Sequence, residues 1–82
     1  MKSEIFSLAI NNRNKIKFLY GMKEILLDPY LITKNKNGKK VIYGKVFNLS
    51  EIKIFEYKKI SNIKVLYNVK FSPIIPILLR AS

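Results

Sequence analysis

The spacing of apolar residues changes once along the chain, near residue 14. Before it, Ile5, Leu8 and Ala9 recur at helical spacing, and Phe6 and Ile10 widen the stripe. Ser3 is placed to cap this helix, and Glu4 puts a negative charge in its first turn, where the helix dipole favours one. Asn11, Asn12, Arg13 and Asn14 end the segment with polar and basic residues. From there the period shortens to two. Ile16, Phe18 and Tyr20 alternate with Lys15, Lys17 and Leu19, the pattern of a half-buried strand. Gly21 and Met22 form a short turn, and residues 23–34 read as a second strand. Pro29 within it is confined to an edge or a bulge, because it has no N–H to give to a ladder.

The rest of the chain keeps the short period. Asn35, Lys36, Asn37 and Gly38 are a hairpin signal, since Asn37-Gly38 suits a turn that needs positive φ. Residues 39–47 return as a third strand, and Gly44 inside it predicts a bulge or a tight bend. Residues 48–51 form a loop, and 52–57 a fourth strand. Residues 58–62 bend or make one helical turn, and 63–69 form the fifth strand. The fold class is therefore mainly β (α+β by count): one N-terminal helix, then a five-stranded, strongly bent antiparallel sheet able to close into a small barrel. Residues 1–72 form the single domain. Residues 73–82 are an apolar tail broken by Pro73 and Pro76, expected to lie across the barrel or against a partner chain.

Composition narrows the chemistry. The 82 residues are 49% hydrophobic, enough for one small core, and contain neither cysteine nor histidine. Disulfides, thiol nucleophiles and metal sites built on histidine or cysteine are excluded. General acid–base catalysis loses its commonest residue, the carboxylates form no evident pair, and no serine has a visible base, so no enzymatic activity and no cofactor are expected. Lys and Arg number 16 against 5 Asp and Glu, a net charge of +11. A field of that sign attracts nucleic acid, nucleotides or anionic lipid. The alternative is a Lys- and Asn-rich composition with a solvated surface, since the lysines are scattered along the chain. No apolar run is long enough to span a bilayer and no signal-peptide core is visible, so a cytoplasmic protein without a membrane partner is expected.

The segment from Lys53 to Ile60 holds the most suggestive chemistry. As one strand it would put Lys53, Phe55, Tyr57 and Lys59 on a single face, two cations flanking two rings. Such a face could hold an anion and pack against a flat group. Lys53 and Lys59 are the first candidates for anion contacts, against the alternative that both are simply solvated. Phe55 belongs more naturally to the core. Tyr57 is open between packing and binding. Tyr43 either fills the barrel, the better reading, or stacks on a base. Lys45, on the side of Tyr43 and Phe47, either snorkels out or meets an anion. Tyr30, beside Pro29, could line an opening, and Tyr20 should pack inside with its hydroxyl at the rim.

Taken in order, these patterns resemble the WYL domain, a small SH3-like or Sm-like β-barrel of bacterial regulators. Leu8-Ala9-Ile10 is similar to the end of that family's opening helix, and Ile16-Lys17-Phe18-Leu19-Tyr20 to its first strand. Asp28-Pro29-Tyr30 resembles the second-strand Pro and its following aromatic or basic residue. Val41-Ile42-Tyr43 stands in the place of the Trp-Tyr-Leu that names the family. Lys53-Ile54-Phe55 and Lys59-Ile60 stand where the family has Arg-x-Phe and Arg-Ile, and Val65-Leu66 with Phe71 resembles its last strand and closing Phe. The match covers residues 3–72. It departs in lacking the Trp-Tyr-Leu triplet and in replacing both arginines by lysine, a point charge without the bidentate fork.

The resemblance implies a ligand-sensing module that binds nucleic acid or a nucleotide-like effector on a basic surface. It would act in bacterial transcription regulation, through a separate DNA-binding regulator. A homodimer through the C-terminal tail or a sheet edge is a further implied partner. The competing expectation is a structural or oligomerisation module that binds protein and has lost ligand sensing.

Overall fold

A computed structural model of the chain describes residues 2–47, 49 and 51–71. A helix, α1 (Lys2–Asn12), is followed by strands β1 (Asn14–Tyr20), β2 (Lys23–Lys34), β3 (Lys40–Val46) and β4 (Ile52–Glu56). A 3-10 helix, Tyr57–Lys59, then leads into β5 (Ile60–Lys70). All neighbouring strands are antiparallel, and they form one sheet in the order β4-β3-β2-β1-β5. Among the described residues no helix is long and apolar enough to cross a membrane.

That order puts β4 and β5 at opposite ends of the sheet, yet only three residues join them. Four strand spacings in a flat sheet would separate them by about 19 Å. Three residues of 3-10 helix rise only about 6 Å. The sheet must therefore curl, and the side chains show it. Phe55 of β4 meets Phe18 and Tyr20 of β1 edge-to-face, with ring centroids 5.3 and 4.9 Å apart. The Tyr20 hydroxyl accepts a hydrogen bond from the Glu56 backbone N–H at 3.2 Å.

Period-two alternation selects the concave face. Ile16, Phe18, Leu27, Ile42, Phe55 and Ile60 are buried there, and α1 adds Phe6 and Ala9. Two local devices provide the curvature. Gly44 of β3 pairs with Pro29 of β2, and the register shifts between Pro29 and Leu31. A Cβ on Gly44 would lie 2.7 Å from Leu27 Cγ and would overlap the Asp28 carbonyl oxygen, so only glycine permits this approach. Pro29 takes the place in the ladder where its missing donor is tolerated.

Several local expectations are corrected. The helix begins at Lys2, so Ser3 lies inside its first turn; its hydroxyl donates to the Tyr57 hydroxyl at 3.3 Å instead of capping. The buried helix face is Phe6 and Ala9, whereas Ile5 and Leu8 are 38% and 62% exposed. A stripe of five apolar residues is wider than the sheet this short helix covers. Arg13, at φ 57°, makes the reversal into β1, and Asn14 is buried, its carboxamide donating to the Tyr67 carbonyl at 3.3 Å. In the β2–β3 turn only Gly38, at φ 78°, takes positive φ; Asn37 does not. Asn35 organises this turn, its side-chain oxygen accepting from the N–H groups of Asn37 and Lys39 at 2.9 and 3.0 Å. The expected tail, residues 73–82, lies outside the described residues.

Candidate nucleic-acid or nucleotide interface

The face of Lys53, Phe55, Tyr57 and Lys59 does not form as one strand. β4 stops at Glu56, because the chain must turn there to bring β5 alongside β1. Phe55 goes to the core. Tyr57 and Lys59 enter the 3-10 helix, away from the direction of β4. Lys53 remains on β4 opposite Gly44, with Nζ 3.3 Å from the Glu51 carboxylate. Lys59 Nζ is 4.0 Å from the Glu56 carboxylate. Each lysine has an acidic neighbour, and the two lie on different elements.

The other candidates are also dispersed. Tyr43 is a cross-strand neighbour of Leu31 and Ile54, both about half exposed. Since Phe55 and Ile42 pair on the concave face, this row lies on the convex one. Lys45 lies in the same strand opposite Asp28 and Ile52. Asp28 is itself held by Lys15 at 2.6 Å. The Tyr30 ring meets Phe71, with centroids 5.7 Å apart. Burial, and then the nearby Asp28 charge, raise the Tyr30 phenol above its ordinary pKa of 10.0.

Tyr57 alone among the sequence candidates reaches a concave basic surface. It lines a groove of about 360 Å³ together with Ser3, Ile32, Thr33, Lys34 and Lys40. Its ring is fixed edge-to-face on Phe6 at 5.1 Å, and its carbonyl accepts from Lys2 Nζ at 2.6 Å. This wall is therefore pre-formed, with the Ser3 and Tyr57 hydroxyls 3.3 Å apart. The opposite wall is the end of the β2–β3 hairpin, where Lys34 and Lys40 are direct cross-strand partners. Like charges so placed repel. The ion pairs among the described residues are Lys15–Asp28, Lys17–Glu24, Lys53–Glu51 and Lys59–Glu56, so neither Lys34 nor Lys40 has a carboxylate.

Lys34 and Lys40 were legible in the sequence through a different signal. Lys34, Lys36, Lys39 and Lys40 fall within seven residues around the Asn-Gly turn, and no acidic residue occurs between Asp28 and Glu51. The lysines are thus not evenly scattered: one hairpin gathers four of them. Folding places that hairpin against α1 and the 3-10 helix, and the groove is lined by two lysines, three hydroxyl-bearing residues (Ser3, Thr33 and Tyr57) and the apolar Ile32. Such a surface can hold an anion by charge and its organic body by contact. Among the described residues no group of three carboxylates is placed to hold a metal ion. Searched against known families, curated proteins and solved structures, the chain matches none of them.

Proposed function

We propose that the chain is a ligand-binding regulatory domain of the WYL type, and that it holds nucleic acid or a nucleotide-like anion in the groove between the β2–β3 hairpin and α1. In this reading the curled sheet is an SH3-like or Sm-like barrel. A helix preceding five strands, β5 returning to β1 and a three-residue turn joining the two sheet ends support that assignment. The domain is a cytoplasmic binding module rather than an enzyme, and it works through a separate DNA-binding regulator. The observation that carries the functional reading is the facing pair Lys34 and Lys40, without a carboxylate partner among the described residues, beside the Ser3 and Tyr57 hydroxyls. An anionic ligand relieves the repulsion between the lysines and accepts from both walls.

The test is a titration of fluorescent single-stranded DNA and RNA, and of nucleoside triphosphates, at several salt concentrations. Two phosphate contacts predict roughly a seven-fold loss of affinity for a single strand between about 50 and 200 mM salt. Absence of binding at the lower salt concentration refutes the reading.

A structural or oligomerisation module is the second reading, favoured by an apolar groove between α1 and β5. Ile5, Leu8, Val65 and Tyr67 line it, and Leu8 and Tyr67 are 62% and 72% exposed. Exposed apolar surface of this kind marks protein contacts. Light scattering discriminates: a dimer that Leu8→Glu converts to monomer supports this reading, and a wild-type monomer counts against it.

A further inference from the structure

A second cavity, of about 390 Å³, lies along the seam between β1 and β5 and shares no residue with the hairpin groove. Lys17, Lys64, Glu24 and Asn62 supply its polar lining, and Leu19 and Ile63 part of its apolar lining. Its volume falls within the range of small-molecule sites, about 300–1,000 Å³.

Three features meet there. Lys17 and Lys64 are direct cross-strand partners, so two ammonium groups share one side of the sheet. Glu24 lies 3.9 Å from Lys17, but one carboxylate cannot neutralise both cations, and Lys64 has no ion pair among the described residues. Next to this pair the ladder breaks. Lys17 pairs with Lys64 and Leu19 with Ser61, so Asn62 and Ile63 together stand opposite Phe18. That is a β-bulge, and its extra residue locally disrupts the ladder. Asn62 stands at φ 52°, a left-handed conformation that asparagine adopts more readily than other residues with a Cβ. The bulge thus places the Asn62 residue on the wall of a cavity lined by two facing lysines.

The geometry points to a binding site for a compact anion, the carboxylate or phosphate group of a small metabolite, held between Lys17 and Lys64 and hydrogen-bonded by Asn62. The apolar lining takes the remainder of the molecule. Because the cavity is separate from the hairpin groove, the site stands whether or not that groove binds nucleic acid. It gives the domain a place for a small effector.

The experiment follows the backbone amide resonances of the whole chain while inorganic phosphate, and separately acetate, is added at constant ionic strength. Saturable shifts centred on Asn62, Ile63 and Lys64 are expected. Lys64→Gln should weaken the phosphate site by about ten-fold. Asn62→Gly, which keeps the left-handed backbone but removes the carboxamide, should weaken it several-fold. Lys23→Gln, which removes the same charge outside the cavity, should leave it unchanged. Saturation with phosphate and not acetate assigns the site to phosphate, and saturation with both assigns it to either anion. Shifts that rise linearly without saturating, or Lys23→Gln weakening binding as much as Lys64→Gln, overturn the proposal.

Discussion

The concave face of the sheet and the end of the β2–β3 hairpin are built on opposite principles. The concave face brings Phe6, Phe18, Tyr20 and Phe55 together with Ile16, Leu27, Ile42 and Ile60, and most of these residues are hidden from solvent. Every contact there favours the same curled sheet. The hairpin end sets Lys34 opposite Lys40 and adds Lys36 and Lys39, an arrangement that lowers stability unless an anion is present. The difference separates what holds the fold from what the fold presents. Residues that conflict with folding are expected at functional or strained sites.

Substitutions should divide along the same line. Phe18→Ala removes the ring that packs on Tyr20 of its own strand and on Phe55 of β4. It should cost about 3–5 kcal/mol in urea denaturation. A loss below about 1 kcal/mol would mean that the aromatic cluster does not hold the curl. Gly44→Ala should cost about 1–3 kcal/mol, since the new methyl group meets Leu27 and the Asp28 carbonyl. An unchanged denaturation midpoint would show that the β2–β3 bend tolerates a side chain.

The hairpin end should respond in the opposite sense. Lys34→Gln relieves the repulsion with Lys40 and should raise stability by about 0.2–1 kcal/mol at low salt, an effect that fades as salt is added. Destabilisation by this change would remove the main argument for a ligand between the two lysines. Tyr30 gives the smallest effect. Its folded pKa lies above its ordinary value, so it favours the folded state while protonated, and this contribution fades as pH rises above 10 through the raised value. Thermal melts of Tyr30→Phe should therefore fall less steeply in that range than those of the wild type. Identical slopes would remove Tyr30 from the account.

The concave face was legible because alternation is a strong local signal. Ile16, Phe18 and Tyr20 announced β1, and the Asn-Gly pair announced the hairpin, although only Gly38 takes the left-handed position. The face of Lys53, Phe55, Tyr57 and Lys59 was misread because alternation says nothing about where a strand ends. The stop at Glu56 follows from sheet order, with β5 paired to β1, and that pairing is non-local. For the same reason Ser3 could not be assigned to Tyr57, 54 residues away. The lysines of the hairpin were visible as a cluster, but their meeting with α1 and the 3-10 helix depends on the curl. The bulge at Asn62 left no sequence signal beyond an asparagine, a residue that tolerates φ 52° without requiring it.

The central claim is that anion binding belongs to the hairpin groove and not to net charge alone. Two double variants remove the same charge from different places: Lys34→Gln with Lys40→Gln, and Lys53→Gln with Lys59→Gln. Affinity for a fluorescent single-stranded oligonucleotide, measured for both at low salt, separates local from global electrostatics. The hairpin variant should lose about ten-fold or more and show a shallower salt dependence, while the Lys53 and Lys59 variant stays within about two-fold of wild type. Equal losses in the two variants would contradict the account.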